Sequence, residues 1–211
     1  MWGCCWFSAG CLWMGVDWNC CLRFLHFHRC YRRDIRAMRF AYADPPYLGC
    51  GRLYAKHHPQ ALEWDDPLMH RGLIQRLEVE YPEGWAMSCS TPSLRVLLPY
   101  TPGDCRVGAW VKPFAVFKPN VNPAYAWEPV LFRGGRKRDR TQDTARDWHS
   151  ENITLRKGLP GAKPPKFADW ILALLGVDFA AGDTIDDLFP GTHGMTLAWK
   201  ERREPTQELL A

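Results

Sequence analysis

The sequence predicts an α/β protein in which a mostly parallel sheet is flanked by helices. Three observations favour this class. Short apolar segments alternate with helical ones from Met38 onward, the helical segments repeat their apolar residues every three or four positions, and the sequence has no internal repeat or heptad pattern. A chain of 211 residues is long enough to bury one sizeable core.

Strands are predicted where short apolar runs are bounded by turn residues. The first strand ends before Asp44, because Pro45 and Pro46 have no N–H group to donate to a neighbouring strand. The predicted strands are Arg39–Ala43, Trp85–Ser90, Arg106–Val111, Ala124–Phe132, Ile153–Leu155 and Thr184–Phe189.

Helices are predicted where apolar residues recur at helical spacing. In the first predicted helix these are Leu68, Leu73, Ile74 and Leu77, and residues 49–66 before it are predicted to form a polar loop. Gly176 follows the third predicted helix and is a natural residue to end it in the left-handed conformation. The predicted helices are Pro67–Tyr81, Ser93–Leu98, Lys166–Leu175 and a short final helix through Trp199.

Residues 1–37 differ in composition from the rest, since they hold six of the nine Cys and four of the eleven Trp. Their first sixteen residues are apolar, which is shorter than the ~18–20 residues of a membrane-spanning helix. The first basic residue, Arg23, comes too late for a secretory signal. We therefore interpret 1–37 as a poorly structured extension, translated from upstream sequence, and expect the working protein to begin at Met38. The main domain is expected over 38–200, with a tail over 201–211.

Charge and cysteine pattern limit the classes of partner. A net charge of +4 and a pI near 8.6 are too mild to indicate a nucleic-acid partner by themselves. No CxxC pair with histidine partners is present, so no metal site is expected. Cys50, Cys89 and Cys105 are isolated, which is typical of a reducing cytosol. We expect a cytoplasmic protein without a membrane or metal partner.

Two segments lie where ligands bind in such a sheet, beyond the carboxyl ends of its strands. Asp44–Tyr47, with the sequence DPPY, follows the first predicted strand. Asp187–Gly194, with the sequence DLFPGTHG, leads from the last strand through a glycine-containing turn into a helix. Glycines let the backbone approach a ligand closely, and a helix N-terminus favours a negative group. Taken alone, each segment is also compatible with an ordinary turn.

DPPY at a strand end resembles motif IV of the S-adenosylmethionine-dependent amino-methyltransferases, which act on adenine N6 or cytosine N4. An exocyclic amine conjugated to its ring is a poor nucleophile, so transfer needs acceptors that hold its N–H groups and localise its lone pair. The Asp44 carboxylate and the Pro45 carbonyl can supply these acceptors. Pro46 would stiffen the turn, and Tyr47 offers a ring on which a flipped base can stack.

The resemblance extends over most of residues 38–200. Gly161–Pro164, the following helix and Asp187–Phe189 are similar to the GxKP–helix–(D/E)LF order that closes MT-A70-type methyltransferases. Gly108–Pro113 resembles the strand bearing WVK in the same group, and Trp127–Phe132 resembles its late E-x-x-L strand. The catalytic motif comes first and the cofactor loop last, as in the permuted MT-A70 and β-class enzymes. The whole chain most resembles small DNA methylases of actinobacterial phages.

This resemblance implies a Rossmann-like methyltransferase fold that uses S-adenosylmethionine. It implies a catalytic role for Asp44, Pro45, Pro46 and Tyr47. The residues that the resemblance places at the cofactor are Lys163, Asp187, Phe189, Gly191, Thr192, His193 and Gly194.

A basic run lies at residues 133–140, where five basic residues stand against one acid. Phosphate contacts from such a loop would supply affinity and salt dependence rather than sequence information. Its place directly after a core strand favours DNA binding over a solvated loop without a partner. The predicted DNA-binding residues are Arg133, Arg136, Lys137, Arg138 and Arg140.

The function predicted from these features is site-specific methylation of DNA on the exocyclic amine of a base. Adenine N6 is favoured over cytosine N4, because Tyr47 follows the DPP and the motif order resembles MT-A70. Two alternatives stay open. One is a catalytically silent, nucleic-acid-binding partner subunit of the same fold, and the other is a methyltransferase for cytosine N4, RNA or a small molecule.

Overall fold

The computed structural model describes residues 36–56, 58–114, 119–138, 140–153, 162–191 and 193–204. Nearly all of the extension expected over 1–37 lies outside these residues, as does most of the tail expected over 201–211. The described part holds six strands, which are β1 (Arg39–Ala43), β2 (Gly84–Ser88), β3 (Arg106–Val111), β4 (Trp127–Gly134), β5 (Trp148–Ser150) and β6 (Thr184–Asp187).

These strands form one sheet in the order β5-β3-β4-β2-β1-β6. β1 pairs in parallel with both β2 and β6, and β3 pairs in parallel with β5. β4 is antiparallel to its two neighbours, β2 and β3. Five strands therefore run in one direction, and the amino end of β4 lies at the edge where those five strands have their carboxyl ends.

The same part of the chain holds five α-helices, which are α1 (Gly51–Tyr54), α2 (Pro67–Glu80), α3 (Thr91–Leu97), α4 (Pro165–Leu175) and α5 (Gly194–Arg203). Asp66 caps α2, because its side chain accepts a hydrogen bond from the Leu68 N–H and Pro67 occupies the first helical position. Gly176 ends α4 with φ 65°, as predicted from the sequence.

Helices cover both faces of the sheet. Successive strand residues point to opposite faces, so Phe40 and Tyr42 pack with α4 and α5, whereas Ala41 and Ala43 pack with α2 and α3. The core on the first face includes Phe167, Trp170, Ile171, Leu175, Met195 and Trp199. The predicted α/β class, with a mostly parallel sheet flanked by helices in the manner of Rossmann-like folds, is confirmed.

Two strand predictions are wrong in detail. The fourth strand was expected from Ala124, but β4 begins at Trp127 and ends at Gly134. A short strand was expected at Ile153–Leu155, but β5 lies at Trp148–Ser150, and residues 154–161 lie outside the described part. Alternation of apolar residues could not indicate β5, because its stability comes from pairing with the edge of β3 rather than from burial of its own side chains.

The loop expected over residues 49–66 is more ordered than predicted. It contains α1 and a 3-10 helix at Pro59–Asp65. The backbone of Gly51 approaches this 3-10 helix closely, since a Cβ on Gly51 would lie 2.5 Å from the Ala61 carbonyl oxygen. The segment is therefore held against the end of β1, where it forms a wall of the candidate site.

Candidate active site

A cavity of about 680 Å³ lies beyond the carboxyl ends of β1 and β6. The helix that follows β6 packs on one face of the sheet, and α2, which follows β1, packs on the other. The two connections diverge there and leave a crevice, which is the usual ligand position in such folds. Its lining includes Tyr42, Asp44, Pro46, Tyr54, His58, Trp64, Lys163, Leu188, Phe189, Gly191, His193 and Gly194.

Asp44 is the first residue after β1, and its carboxylate lines this cavity. The two following prolines end the strand, so the side chain lies at the sheet edge with 21% of its surface exposed. Its oxygens accept hydrogen bonds from Lys163 Nζ at 2.9 and 3.0 Å and from the Tyr47 hydroxyl at 3.1 Å. Of the four predicted catalytic residues, Asp44 and Pro46 line the cavity, whereas Pro45 is buried and Tyr47 is half-buried beside Asp44. The Asp44 carboxylate is shared with a lysine.

Lys163 is a buried cation, with 4% of its side chain exposed. Its ammonium contacts Asp44, donates to the Tyr47 hydroxyl at 3.0 Å and lies 3.5 Å from Glu128 Oε2. The rings of Tyr47, Trp110 and Phe167 surround it at 5.5, 5.7 and 5.9 Å. Lys163 was predicted to contact a cofactor; the structure places it in the cavity wall, with its charge against the DPPY motif.

Glu128 and Lys112 are functional candidates that the sequence analysis did not assign. Glu128 lies near the start of β4, and Lys112 follows the end of β3. Because β4 is antiparallel to β3, both side chains reach the edge that carries Asp44. Lys112 Nζ donates to Glu128 Oε1 at 2.9 Å, and the Tyr47 hydroxyl lies 3.0 Å from Glu128 Oε2. The WVK and WEP sequences could have indicated this pair had the strand direction been known.

Burial and opposite charges set the protonation of these groups. Burial raises the pKa of Asp44, and the neighbouring Lys163 offsets part of that increase. Burial alone would also raise the pKa of Glu128, but Lys163 and Lys112 outweigh it and lower that pKa. For Lys163, burial favours the neutral amine, yet Asp44 and Glu128 prevail and its pKa is raised. The site thus holds two ammonium groups against two carboxylates, with Asp44 the more basic carboxylate.

The turn between β6 and α5 forms the other side of the cavity. Gly191 and His193 both have positive φ values, 46° and 58°, so the backbone bends sharply just before the helix. Phe189 lines the cavity and packs edge-to-face on Trp64, with ring centroids 5.0 Å apart. Of the predicted cofactor residues in this turn, Phe189, Gly191, His193 and Gly194 line the cavity, whereas Thr192 lies outside the described residues.

Asp187 and Asp186, the last two residues of β6, point to opposite faces of the sheet. The Asp186 carboxylate accepts hydrogen bonds from Arg39 and from the Tyr81 hydroxyl. Asp187 Oδ2 accepts from Thr196 on α5 at 3.0 Å, while its Oδ1 is buried without a hydrogen-bond partner. Burial raises the pKa of Asp187. Asp187 directly precedes the cavity-lining Leu188 but does not itself line the cavity, so its predicted contact with a cofactor stays a prediction.

The basic run does not lie beside this cavity. Gly134, at the end of β4, pairs with Gly84 at the start of β2, so the residues that follow lie at the opposite edge of the sheet from Asp44. The place of this loop directly after a core strand does not bring it to the cavity, because β4 runs antiparallel to its neighbours. Contact of this loop with DNA stays a prediction.

Three of the five predicted DNA-binding residues make contacts within the chain. Arg133 pairs with Glu78 at 2.6 Å and with Asp104 at 2.7 Å. Arg136 forms an ion pair with the fully buried carboxylate of Asp183. Arg138 donates hydrogen bonds to the backbone carbonyls of Asp143 and Ala173. Lys137 and Arg140 are exposed.

Within the described residues, no cluster of three His, Cys, Asp or Glu side chains could hold a metal ion. Among the helices described, none has the length and apolar character to cross a membrane.

Comparison with solved structures finds 30 chains that match this one in fold. A crystal structure described as the M1.HpyAVI–SAM complex aligns with a TM-score of 0.46 and 14% sequence identity, covering 84% of this chain and 84% of that one. No family model matches the sequence, and no curated protein matches it.

Proposed function

We propose that this chain is an S-adenosylmethionine-dependent methyltransferase that modifies the exocyclic amine of a DNA base, with adenine N6 favoured. The observation that carries the proposal is the position of Asp44. Its carboxylate lines a cavity at the carboxyl ends of β1 and β6, and two prolines fix the backbone directly after it. The resemblance of DPPY to the amino-methyltransferase motif supports the same chemistry.

Asp44 can hold an amine and receive its proton. A carboxylate oxygen accepts one N–H of the amine, and the adjacent Pro45 carbonyl offers a second acceptor, so the nitrogen lone pair stays available for the new N–C bond. The methylated nitrogen must then lose a proton. The raised pKa of Asp44 favours proton uptake by its carboxylate.

The cavity fits a cofactor of this class. A volume of about 680 Å³ falls in the range of small-molecule sites, and Trp64 and Phe189 supply aromatic surface. The N-terminus of α5 favours a carboxylate group. The resemblance also implies a cofactor contact from Asp187, which directly precedes the cavity-lining Leu188. When bound, S-adenosylmethionine would supply an electrophilic methyl group on sulfur.

Besides the predicted stacking on a base, Tyr47 contacts the charged groups of the site. Lys163 Nζ lies 5.5 Å from the centre of its ring, and its hydroxyl lies between Asp44 and Glu128. A base would therefore have to stack on a part of the ring that Lys163 leaves uncovered. The hydroxyl lies within hydrogen-bond distance of both carboxylates, which supports a role of Tyr47 in setting the surroundings of the amine acceptor.

Transfer of a labelled methyl group tests the proposal. The protein is incubated with tritiated S-adenosylmethionine and with DNA or RNA of mixed sequence, and the digested nucleosides are separated. We expect label in N6-methyladenine from DNA. Label in N4-methylcytosine would correct the base, and label in RNA alone would correct the substrate. Cofactor binding without any label would overturn the enzymatic proposal in favour of a silent partner subunit.

A further inference from the structure

Four charged groups and one hydroxyl lie close together at the cavity wall, those of Asp44, Lys163, Glu128, Lys112 and Tyr47. Lys163 lies between Asp44 and Glu128, and its three N–H donors face both Asp44 oxygens, the Tyr47 oxygen and Glu128 Oε2. If the Lys163 ammonium donated all of its hydrogen bonds to Asp44, it would occupy the carboxylate lone pairs that have to accept the N–H groups of a substrate amine. Glu128, 22% exposed on the far side of Lys163, is placed to share that charge.

The Tyr47 hydroxyl has a single proton to donate. The hydroxyl oxygen lies 3.1 Å from Asp44 Oδ1 and 3.0 Å from Glu128 Oε2, so the hydroxyl can donate its hydrogen bond to only one of these carboxylates at a time. When it donates to Glu128, Asp44 Oδ1 loses one donor and can accept another. The Lys163 ammonium meanwhile donates to the Tyr47 oxygen at 3.0 Å and holds the hydroxyl in place.

We propose that Glu128 is a positioning residue for the methyl-transfer reaction: it accepts the hydrogen bond of the Tyr47 hydroxyl and balances part of the Lys163 charge, and so leaves an Asp44 oxygen able to accept a hydrogen bond from the substrate amine. The inference rests on the proposed function and assigns it a residue outside the DPPY motif. Glu128 itself need not touch the substrate.

Lys112 fixes Glu128 for this task. It binds Oε1 at 2.9 Å, and Oε2 is then directed to Tyr47 and Lys163. The antiparallel register of β3 and β4 places Trp110 opposite Glu128, which brings Lys112 to the same edge. The titratable or charged groups around Glu128 are Lys112 after β3, Lys163 before α4, Tyr42 on β1, Asp44 and Tyr47 after β1, Tyr54 on α1 and Cys89 after β2.

The test replaces Glu128 by Gln, which keeps the size and one acceptor oxygen but removes the charge. Asp44 then faces Lys163 and Lys112 without compensation, so we expect its carboxyl carbon, followed by NMR, to titrate at lower pH than in the wild type. We expect kcat to fall by about tenfold or more while the KM for S-adenosylmethionine changes by less than about twofold. The acid limb of the kcat profile should move to lower pH with the Asp44 titration.

The matched control is Glu151→Gln. Glu151 lies on the same edge, is equally buried with 20% exposure, and contacts His149 rather than Lys163. It should leave the Asp44 titration unchanged. A second variant, Lys112→Met, should move the Asp44 titration to higher pH, and this opposite shift tests the idea even if Glu128→Gln does not fold.

The outcomes separate the two proposals. If Asp44 titrates at the same pH in wild type, Glu128→Gln and Lys112→Met, the role of Glu128 is overturned, whatever the activity. If the titration shifts as expected but kcat and its pH profile do not, Glu128 is a structural residue and the inference is again overturned. If the wild type transfers no methyl group to any substrate while the titration shifts, the proposed function fails and the coupling of Glu128 to Asp44 stands.

Discussion

At the scale of single residues, the proposed chemistry depends on a small number of side chains. Asp44 is the proposed amine acceptor, and its neighbours Lys163, Tyr47 and Glu128 influence how basic its carboxylate is and how many of its lone pairs are free. Asp187 is the second residue of interest, because one of its oxygens is buried without a partner. Each of these two carboxylates leads to a separate prediction.

Asp44→Ala should remove methyl transfer and leave the fold intact. The variant loses the amine acceptor, and we expect kcat to fall about a hundredfold or more. Lys163 still has Glu128 within 3.5 Å, so the buried ammonium keeps an opposite charge. Transfer of tritium to DNA measures the loss, and the circular-dichroism melting curve reports the fold. A variant that stays folded and retains more than a few per cent of wild-type turnover would show that Asp44 is not the acceptor.

Asp187→Asn should weaken cofactor binding without preventing folding. The amide keeps a partner for Thr196 but replaces a charged acceptor, and loss of one charge-assisted hydrogen bond costs about 1.5–3 kcal/mol. Titration calorimetry with S-adenosylmethionine should show an increase in Kd of about ten- to 150-fold. Asp186→Asn is the matched control, because that carboxylate faces Arg39 and Tyr81 on the other face. Equal Kd values for both variants would contradict a role of Asp187 at the cofactor.

At the scale of elements, the antiparallel direction of β4 determines which residues lie at the edge of the sheet that carries the candidate site. It brings Glu128 to the edge that carries Asp44 and sends the basic run after Gly134 to the opposite edge. At that opposite edge Arg136, which follows β4, contacts Arg36 before β1 and Asp183 before β6. It pairs with Asp183, whose carboxylate also accepts from the backbone N–H groups of Met38 and Asp178. We therefore assign Arg136 to stability rather than to binding.

Arg136→Met should destabilise the protein by about 3–5 kcal/mol, because it leaves the Asp183 carboxylate buried without its cation. Urea unfolding at pH 7 measures the loss. Lys137→Met, an exposed neighbour, should change the free energy of unfolding by less than about 0.5 kcal/mol. If both variants unfolded at the same urea concentration, the Arg136–Asp183 pair would not stabilise the fold.

The stabilisation by this pair should depend on pH. Burial alone would raise the pKa of Asp183, but Arg136 and the two backbone N–H groups outweigh it and lower that pKa. A carboxyl with a lowered pKa in the folded state stabilises the protein above its unfolded pKa, near 3.8. The difference between wild type and Arg136→Met should therefore be constant from about pH 5 to 7 and shrink as the pH falls below that value. A difference that stayed constant down to pH 2 would contradict the argument.

At the scale of the whole molecule, the question is where a polynucleotide would lie. The candidate site and the basic run are at opposite edges of the sheet, and Lys137 and Arg140 are exposed members of that run. Replacing both with Ala tests the predicted phosphate contacts without disturbing Arg133, Arg136 or Arg138. If both bind phosphates, the slope of log affinity against log salt should become shallower by about 1.8. An unchanged slope would place the DNA path elsewhere on the protein.

The extension over residues 1–37 gives a further prediction, since nearly all of it lies outside the described residues. A chain that starts at Met38 loses the contacts of Arg36 with Glu83 and Arg136, but it keeps the Met38 nitrogen that donates to Asp183 at 2.8 Å. We expect its Tm to stay within about 4 °C of the full chain and its methyl-transfer activity to be unchanged. Loss of folding would show that the extension belongs to the working protein.

The sequence by itself determined the local features of this protein. Two prolines stop β1 whatever surrounds them, Gly176 ends α4, and apolar periodicity indicates the long helices, because each of these effects acts over a few residues. The tertiary structure decided the direction of β4, the position of β5 and the composition of the site. Lys163 and Asp44 lie 119 residues apart in the chain, and Tyr47 and Glu128 lie 81 apart. Such contacts depend on the order and direction of strands, which follow from burial of the whole core and are not encoded in any short segment.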